Sequence, residues 1–447
     1  RGPEIPGPPP ALNGQMDAAS GKLETPALAA VRSEFDRASK QTLPLARHNL
    51  SVIKSGDGHG PAGSTSALES LMSKVGLQLG RTASDQPTMV DRRKNFDPTA
   101  RLKRQFDQLV AFTQNLARLS PVRRAEYWAK ADASSLTNWQ ASTANYREYL
   151  REEIIGRLPP ASLPPNARTR LLYDTPKWTG YEVVLDVSPD VIAYGALLVP
   201  KDLKPGERRP VVVAQHGRAG RPQDVCDPDK DTAYYHSFGA KLADRGSIVY
   251  APQTLFFGEE KYRLLQRKAN ALKMTFFAPM VQQHEQHLKW LATLPFVDAK
   301  RVGFYGLSYG GKSAMLIPAA LEGYALSICS GDFNEQVWKH VSVEDRYSFM
   351  FTKEHDHSEF DFGEKVNYAE IAGLIAPRPF MVERGHRDGV APDEWVAYEY
   401  AKVRRRYVEL GIGARTEMEF FNGGHEIHSQ GTFDFLHRHL DWPKPPK

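Results

Sequence analysis

One segment of this chain carries residues at a spacing that can do covalent chemistry. Gly306-Leu307-Ser308-Tyr309-Gly310 has the form G-x-S-x-G. A strand that reverses sharply into a helix holds the central serine in a strained backbone conformation. The glycines two positions away on each side let strand and helix pass closely. The hydroxyl of Ser308 is then exposed at the carboxyl end of a sheet, above a helix N-terminus that favours negative charge. The same residues fit a second pattern. Gly306 to Ser313 also reads G-x-x-x-x-G-K-S, a phosphate-cradling loop. Both patterns need a strand before and a helix after, so distant residues must separate them.

A nucleophilic serine needs a base, an acid to orient that base, and donors for a developing oxyanion. Upstream, Val211–Gln215 reads as a buried strand that ends in His216-Gly217-Arg218-Ala219-Gly220. This glycine-rich turn can aim the backbone N–H of Arg218 at an oxyanion, and the second donor is the N–H of Tyr309. His216 shapes that turn rather than moving protons. Downstream, a strand beginning at Pro379 is followed by Gly385 and then Asp388. The last strand, Thr416–Phe421, is followed by Asn422-Gly-Gly-His425. The chain order is Ser308, Asp388, His425, with Asp388 orienting the imidazole of His425. A phosphate-binding enzyme would instead want an apolar strand ending in a metal-binding Asp. Asp332 is offered there, but Ser330-Gly331 interrupts the run.

Two other carboxylates compete with Asp388. Glu383 sits at the end of a buried strand and needs a partner there, Arg378 or Arg384 in the bland reading. Asp332 follows the preceding strand and otherwise lines the pocket wall. Among the fourteen histidines, His428, His437 and His439 fall at a helix start or on a helix face and read as solvated. His284-Glu285-Gln286-His287 places its histidines at i,i+3 rather than i,i+4, and Lys353–His357 reads as a polar surface loop, so no catalytic metal is expected. Phe256, Phe257, Phe333, Trp338, Tyr347, Phe349 and Phe351 crowd the loops of the expected rim. They either pack under a long loop or form a platform for a sugar ring or an aromatic acyl group. The insertion from Asp332 to about Ile371 is where a lid is expected.

The elements that must position these residues follow from periodicity. Tyr181–Val187 and Val191–Val199 flank a Ser-Pro-Asp turn and predict a β-hairpin. Short apolar runs follow at Pro210–Gln215, Ser247–Ala251, Arg301–Gly306, Ala325–Ser330, Pro379–Glu383 and Thr416–Phe421. Helical patterns lie between and after them at Tyr234–Arg245, Val281–Thr293, Gly310–Leu321, Asp393–Leu410 and Gly431–Leu440. Alternating buried strands and amphipathic helices predict a mostly parallel, doubly wound sheet. Residues 175–447 form this catalytic region. Residues 96–174 read as a helical accessory region, with an apolar stripe at Leu102, Phe106, Leu109, Phe112, Leu116 and Leu119. A second helix is expected to start at Ser120-Pro121, and a third to run from Ser135 to Ile155. Residues 1–95 read as an extension rich in Pro, Gly and Ser, with a Pro-rich start at Arg1–Ala11 and short helices near Pro26–Lys40 and Ala67–Gln78.

Composition bounds the partners. The 447 residues carry a net charge of +5, too weak over this length for a nucleic-acid binder. Arg404, Arg405 and Arg406 fall inside an amphipathic pattern. No run of eighteen apolar residues appears, so no membrane-spanning helix is expected. Two cysteines, Cys226 and Cys329, exclude a disulfide scaffold and a four-cysteine zinc site; two free thiols near a core is the bland reading, and a pairing between them is the alternative. The first residue is Arg1, so the compartment stays open, with a periplasmic or extracellular site favoured. Oligomeric state is not legible.

Gln215-His-Gly, Gly306-Leu-Ser-Tyr-Gly-Gly, Ile375-Ala-Pro-Arg-Pro-Phe, Gly424-His-Glu-Ile and Thr432-Phe-Asp-Phe-Leu-His together resemble the α/β-hydrolase superfamily. More narrowly, they are similar to the bacterial branch with acetyl xylan esterases, glucuronoyl esterases and dienelactone-hydrolase-like proteins. The resemblance spans about Thr175 to the C-terminus. It implies serine-dependent hydrolysis of a carboxylic ester without a cofactor but does not fix the substrate; a small-molecule or oligosaccharide ester is expected, and a carbohydrate-linked one is favoured on the resemblance and the aromatic content together. A lactone, peptide or xenobiotic ester is the alternative substrate. Glucuronoyl esterases tend to carry Arg directly after the serine, where this chain has Tyr309, a departure that counts against uronate recognition. Lys312 does match their Gly-Lys continuation.

Overall fold

In a computed structural model, residues 27–42, 50–55, 63–78, 90, 92–257, 261–352 and 359–444 are described. Lys353–His357 and the Pro-rich start lie outside them. The chain falls into two units, 1–97 and 98–447. In the first, α1 (Leu28–Gln41) and α2 (Thr65–Lys74) are amphipathic helices with no buried residue. The Ser64 hydroxyl caps α2 by accepting from the Ala67 N–H at 3.3 Å.

The second unit opens with α3 (Pro98–Tyr127) and α4 (Leu136–Tyr149). Two expectations fail in α3. It runs unbroken through Pro121, so no new helix begins at Ser120. Its apolar stripe is also largely exposed, with Leu102, Phe106, Leu109, Phe112 and Leu119 all more than half accessible. Polar residues hold the helix instead. Gln114 donates to the Val341 carbonyl at 2.6 Å, Arg124 donates to the Gly363 carbonyl, and Arg118 pairs with Glu344. These anchors offset the hydrogen bond that Pro121 cannot make. The α4 helix continues into a π-helical turn at Leu150–Ile155 and stops at Gly156, whose φ of +86° suits glycine.

Nine strands form one sheet in the order β1-β2-β3-β5-β4-β6-β7-β8-β9. They are β1 (Arg168–Asp174), β2 (Trp178–Ser188), β3 (Val191–Pro200), β4 (Arg209–Gln215), β5 (Ile248–Pro252), β6 (Val297–Leu307), β7 (Leu326–Ser330), β8 (Phe380–Gly385) and β9 (Thr416–Phe421). The β2–β3 hairpin is antiparallel, as its alternation predicts, and β3 runs antiparallel to β5. From β5 through β4 to β9 every pairing is parallel. The sheet is therefore the mostly parallel, doubly wound one expected. The edge strand β1 falls in the stretch read as helical, because its residues alternate weakly and are mostly exposed.

The remaining helices are α5 (Pro222–Cys226), α6 (Phe238–Asp244), α7 (Lys261–Asn270), α8 (Phe277–Leu291), α9 (Tyr309–Ala320), α10 (Gln336–Val341), α11 (Phe362–Lys365), α12 (Tyr368–Ile375), α13 (Asp393–Glu409) and α14 (Gly431–His439). Two apolar clusters cover the sheet's faces. One joins Val211, Val213, Phe304 and Val382 to α8, α9, α12 and α13; the other joins Val212, Tyr305, Ile328 and Met381 to α6 and α14. Alternate residues of β4 enter opposite clusters, as the two-residue side-chain period requires. Cys226 and Cys329 are both buried and free.

Candidate active site

Ser308 stands between the end of β6 and the start of α9 with φ +60° and ψ −121°, a conformation that L-residues rarely adopt. The surroundings enforce it. A side chain at Gly306 would collide with the Gly310 carbonyl, and one at Gly310 would collide with the Gln215 carbonyl of β4. The N–H of Ser308 donates to the Ser330 carbonyl of β7 at 2.8 Å, and the N–H of Lys312 returns to the Ser308 carbonyl at 2.9 Å.

The phosphate-loop reading fails at Lys312. Its side chain is 2% exposed and pairs with the carboxylate of Glu359, with Phe277 beneath it. Ser313, the other phosphate-loop position, donates its hydroxyl to the Tyr309 carbonyl at 2.8 Å. Neither side chain is available to cradle a phosphate.

The turn after β4 lies against the serine: a Cβ on Gly217 would stand 3.1 Å from Ser308 Cβ. The Gly217 N–H donates to the Tyr235 hydroxyl at 2.8 Å, and Ala219 takes φ +58°. His216 is fully buried. Its Nδ1 lies 2.8 Å from the Gly217 carbonyl, and its Nε2 accepts from the Thr254 N–H at 3.2 Å. That pair of partners fits the neutral tautomer with the proton on Nδ1. Burial pushes its pKa down to about 4. His216 is therefore a bracket of the turn.

His425 reaches the same edge from the loop after β9. Its Nδ1 lies 2.8 Å from Asp388 Oδ2, and its ring lies against Gly331, where a Cβ would stand 3.1 Å from Nδ1. Gly331 follows Ser330, the residue that holds the Ser308 N–H. Elbow and imidazole thus converge on adjacent residues at the end of β7. Among the described residues no hydrogen bond joins Ser308 Oγ to His425 Nε2. Such contacts commonly tighten only when substrate is bound.

Asp388 is almost wholly buried, and Oδ1 also accepts from the Val390 N–H at 2.9 Å. Burial pushes its pKa up, but the hydrogen bond and charge of His425 and the charge of Arg384 outweigh that and hold it below the usual range. The acid and histidine loops are stitched together. The N–H of His386 donates to the Phe421 carbonyl and that of Arg387 to the Gly423 carbonyl, both at 2.9 Å.

The rival acids have other partners. Glu383 is fully buried and pairs with neither Arg378 nor Arg384. Oε2 accepts from the hydroxyls of Tyr305 at 2.8 Å and Ser330 at 2.6 Å. Oε1 accepts from the N–H groups of His428 at 3.1 Å and Ser429 at 3.2 Å and from the Thr432 hydroxyl at 3.3 Å. Burial nonetheless pushes its pKa up. Glu383 ties the loop after His425 to the sheet. Asp332 accepts from the Tyr368 hydroxyl at 2.7 Å.

The other histidines divide by burial. His284 donates to or accepts from the Tyr324 hydroxyl at 2.6 Å in the core, His287 packs against Tyr250, and burial holds both far down in pKa. His428, read as solvated, pairs with Glu419 at 2.6 Å, and His437 is largely buried. Among the described residues no group of three or more candidate metal ligands occurs.

The aromatic loops also divide. Phe256, Phe333 and Phe349 are buried, whereas Phe257 and Phe351 are about 60% exposed. Phe276 and Phe277 stack on Tyr309 at 5.0 and 5.4 Å and brace the residue after the serine. Two residues that brace these loops, Tyr235 and Lys339, left no local sequence signal, and Arg384, read as a partner of Glu383, pairs with Asp388 instead. Only the spacing of Arg384, four residues before Asp388, hints at its contact.

No protein-family model matches the chain, and no curated protein does. Solved structures are similar to it. A Bacteroides fragilis protein provisionally assigned as an acetyl xylan esterase is 15% identical, with a TM-score of 0.53 over 64% of this chain and 76% of its own. A glucuronoyl esterase from Solibacter usitatus is 14% identical over 69% of this chain and 94% of its own, with a TM-score of 0.49. An acetyl xylan esterase from a Thermoanaerobacterium species is 13% identical over 70% and 95%, with a TM-score of 0.44. The chain has the α/β-hydrolase fold.

Proposed function

We propose that this α/β-hydrolase-fold chain is a serine-dependent carboxylic ester hydrolase working through an acyl-enzyme. The observation that carries the reading is the His425–Asp388 hydrogen bond delivered beside Ser308 at its left-handed turn. His425 Nε2 takes the Ser308 proton as Oγ attacks the ester carbonyl. Asp388 keeps the other ring proton on Nδ1 and balances the imidazolium. The backbone N–H groups of Tyr309 and Arg218 receive the oxyanion, aided by the N-terminal dipole of α9. The tetrahedral adduct collapses, and the alcohol leaves with the proton from His425. Water then repeats the sequence on the acyl-serine, releasing the acid and restoring Ser308.

The favoured substrate is a carbohydrate-linked ester. The names of structural neighbours, acetyl xylan and glucuronoyl esterases, support that class. No helix of the described residues is long and apolar enough to cross a membrane, and a periplasmic or extracellular location belongs to the same reading. The test is turnover of p-nitrophenyl acetate by wild type and Ser308→Ala, followed by a panel of acetylated xylan, methyl glucuronate, feruloyl and simple aryl esters. The reading expects no turnover above background from Ser308→Ala and a preference for a sugar-linked member of the panel. Retained turnover by the variant removes Ser308 from the mechanism.

A further inference from the structure

The acid loop, residues 385–391, is anchored in an unusual way. Two of its N–H groups reach across to the histidine loop, and two find local partners: that of Asp388 bonds the Gly385 carbonyl at 3.0 Å, and that of Val390 bonds Asp388 Oδ1. Three of its carbonyls instead end on buried cations. Arg384 Nη2 donates to the Asp388 carbonyl at 3.0 Å and to the Ala391 carbonyl. Lys339 Nζ donates to the Val390 carbonyl and, at 3.0 Å, to the Tyr347 carbonyl. Arg384 is 1% exposed and Lys339 is 3% exposed.

Burying two cations is costly unless each is paired and hydrogen-bonded. Arg384 meets that demand mainly on the candidate triad. Its Nη1 lies 3.0 Å from Asp388 Oδ2, the same oxygen that faces His425, in a charge contact rather than an aligned hydrogen bond. Its Nε is 3.9 Å from Asp393, which also pairs with His386, and Asp332 and Tyr347 add to the field around it. Lys339 enters from α10, in the insertion after β7, and so connects that insertion to the backbone of the acid loop.

We propose that Arg384 and Lys339 are positioning residues that fix Asp388, and through it His425, for proton transfer. The inference rests on the triad reading above. Arg384 sets the carboxylate by charge and the loop by its carbonyls. Lys339 locks the loop to the insertion, so a movement of α10 is transmitted to the acid.

The experiment compares wild type, Arg384→Lys, Arg384→Gln and Lys339→Met on p-nitrophenyl acetate, with circular dichroism to verify folding. Two readouts separate positioning from mere support: kcat against KM, and the downfield proton resonance of the His425 Nδ1–H. A displacement of about 1 Å costs about 100-fold, so Arg384→Gln should lose about 10- to 100-fold in kcat with little change in KM. Lys339→Met should lose less, in the same parameter. The resonance should broaden or vanish in Arg384→Gln. Arg384→Lys retains a buried cation for the fold but reaches fewer acceptors. It should fall between wild type and Arg384→Gln, and it carries the test should the neutral variant not fold. Wild-type kcat in folded Arg384→Lys and Lys339→Met overturns the proposal. An active Ser308→Ala overturns the triad reading instead, while an inactive Ser308→Ala beside fully active Arg384 and Lys339 variants sinks this inference alone.

Discussion

Asp388→Asn is the substitution whose consequence the geometry constrains most tightly. The carboxylate accepts from His425 through Oδ2 and from the Val390 N–H through Oδ1, and the Arg384 guanidinium faces Oδ2. A carboxamide has one oxygen for these positions. If the oxygen stays on Val390, an NH2 group faces both His425 and Arg384. It then donates to Nδ1, and the ring proton moves to Nε2, where it blocks general-base catalysis. A wrong tautomer of this kind costs about 10,000-fold in kcat, or about 5 kcal/mol of barrier. If the amide flips, the NH2 group meets the Val390 N–H and leaves one donor unpaired. Either way Arg384 loses its nearest ion-pair partner and keeps only the more distant Asp393, and breaking a buried pair costs about 3–5 kcal/mol of stability. Remaining bonds from Arg384 to two carbonyls reduce that loss. The assay is kcat for p-nitrophenyl acetate at several pH values, beside a thermal melt of the same sample. A folded Asp388→Asn protein with kcat within about tenfold of wild type, against the loss expected of a misoriented base, refutes the reasoning.

Glu383→Gln should behave oppositely. It places one NH2 among five donors, so it should cost about 1–3 kcal/mol of stability while kcat changes far less than in Asp388→Asn. Equal, mild losses in both variants would move the acid elsewhere, with Asp332 next in line. Gly310→Ala should abolish soluble, active protein, because its Cβ would meet the Gln215 carbonyl; an active variant in normal yield contradicts the elbow packing. The buried Glu399 of α13 gives a pH signature. Burial and the nearby Glu370 raise its pKa to about 7, although it pairs with Lys402. A group raised in the folded state binds more protons folded than unfolded, so stability falls as pH rises from the unfolded value near ~4.3 towards about 7. Melting temperature of wild type relative to Glu399→Gln should therefore decline from pH 5 to pH 8, and parallel curves would contradict it. Asp388 has the opposite sign. Its lowered pKa supplies stability above ~3.9 that is lost as pH falls through the lower folded value, which a proton titration of the melt below pH 4 would detect.

The sheet was legible because buried parallel strands leave continuous apolar runs, and each run from Pro210 onward lies within or beside a strand. The elbow was legible because its glycines have no substitute at those close approaches. Edge strand β1 was not, since an exposed strand need not be apolar. The stripe on α3 misled, because periodicity reports amphipathicity and not burial, and Gln114, Ser120 and Arg124 make the buried contacts instead. Asp388 and Glu383 could be ranked only by place, Asp388 in the loop past the strand and Glu383 within the strand. What decided Glu383 was a set of hydroxyl and N–H donors from four separate stretches, which no local pattern encodes. Lys339 was invisible for the same reason, since it reaches the distant Val390 and Tyr347 carbonyls, and Arg384, read as a partner of Glu383, sits on Asp388 instead.

Covalent capture of the nucleophile tests the central claim most directly. A fluorophosphonate should add one group per chain, peptide mapping should place it on Ser308, and ester turnover should fall in step with labelling. Full turnover in protein that takes up no label, or a label mapped to a different residue while Ser308 stays unmodified, contradicts the account.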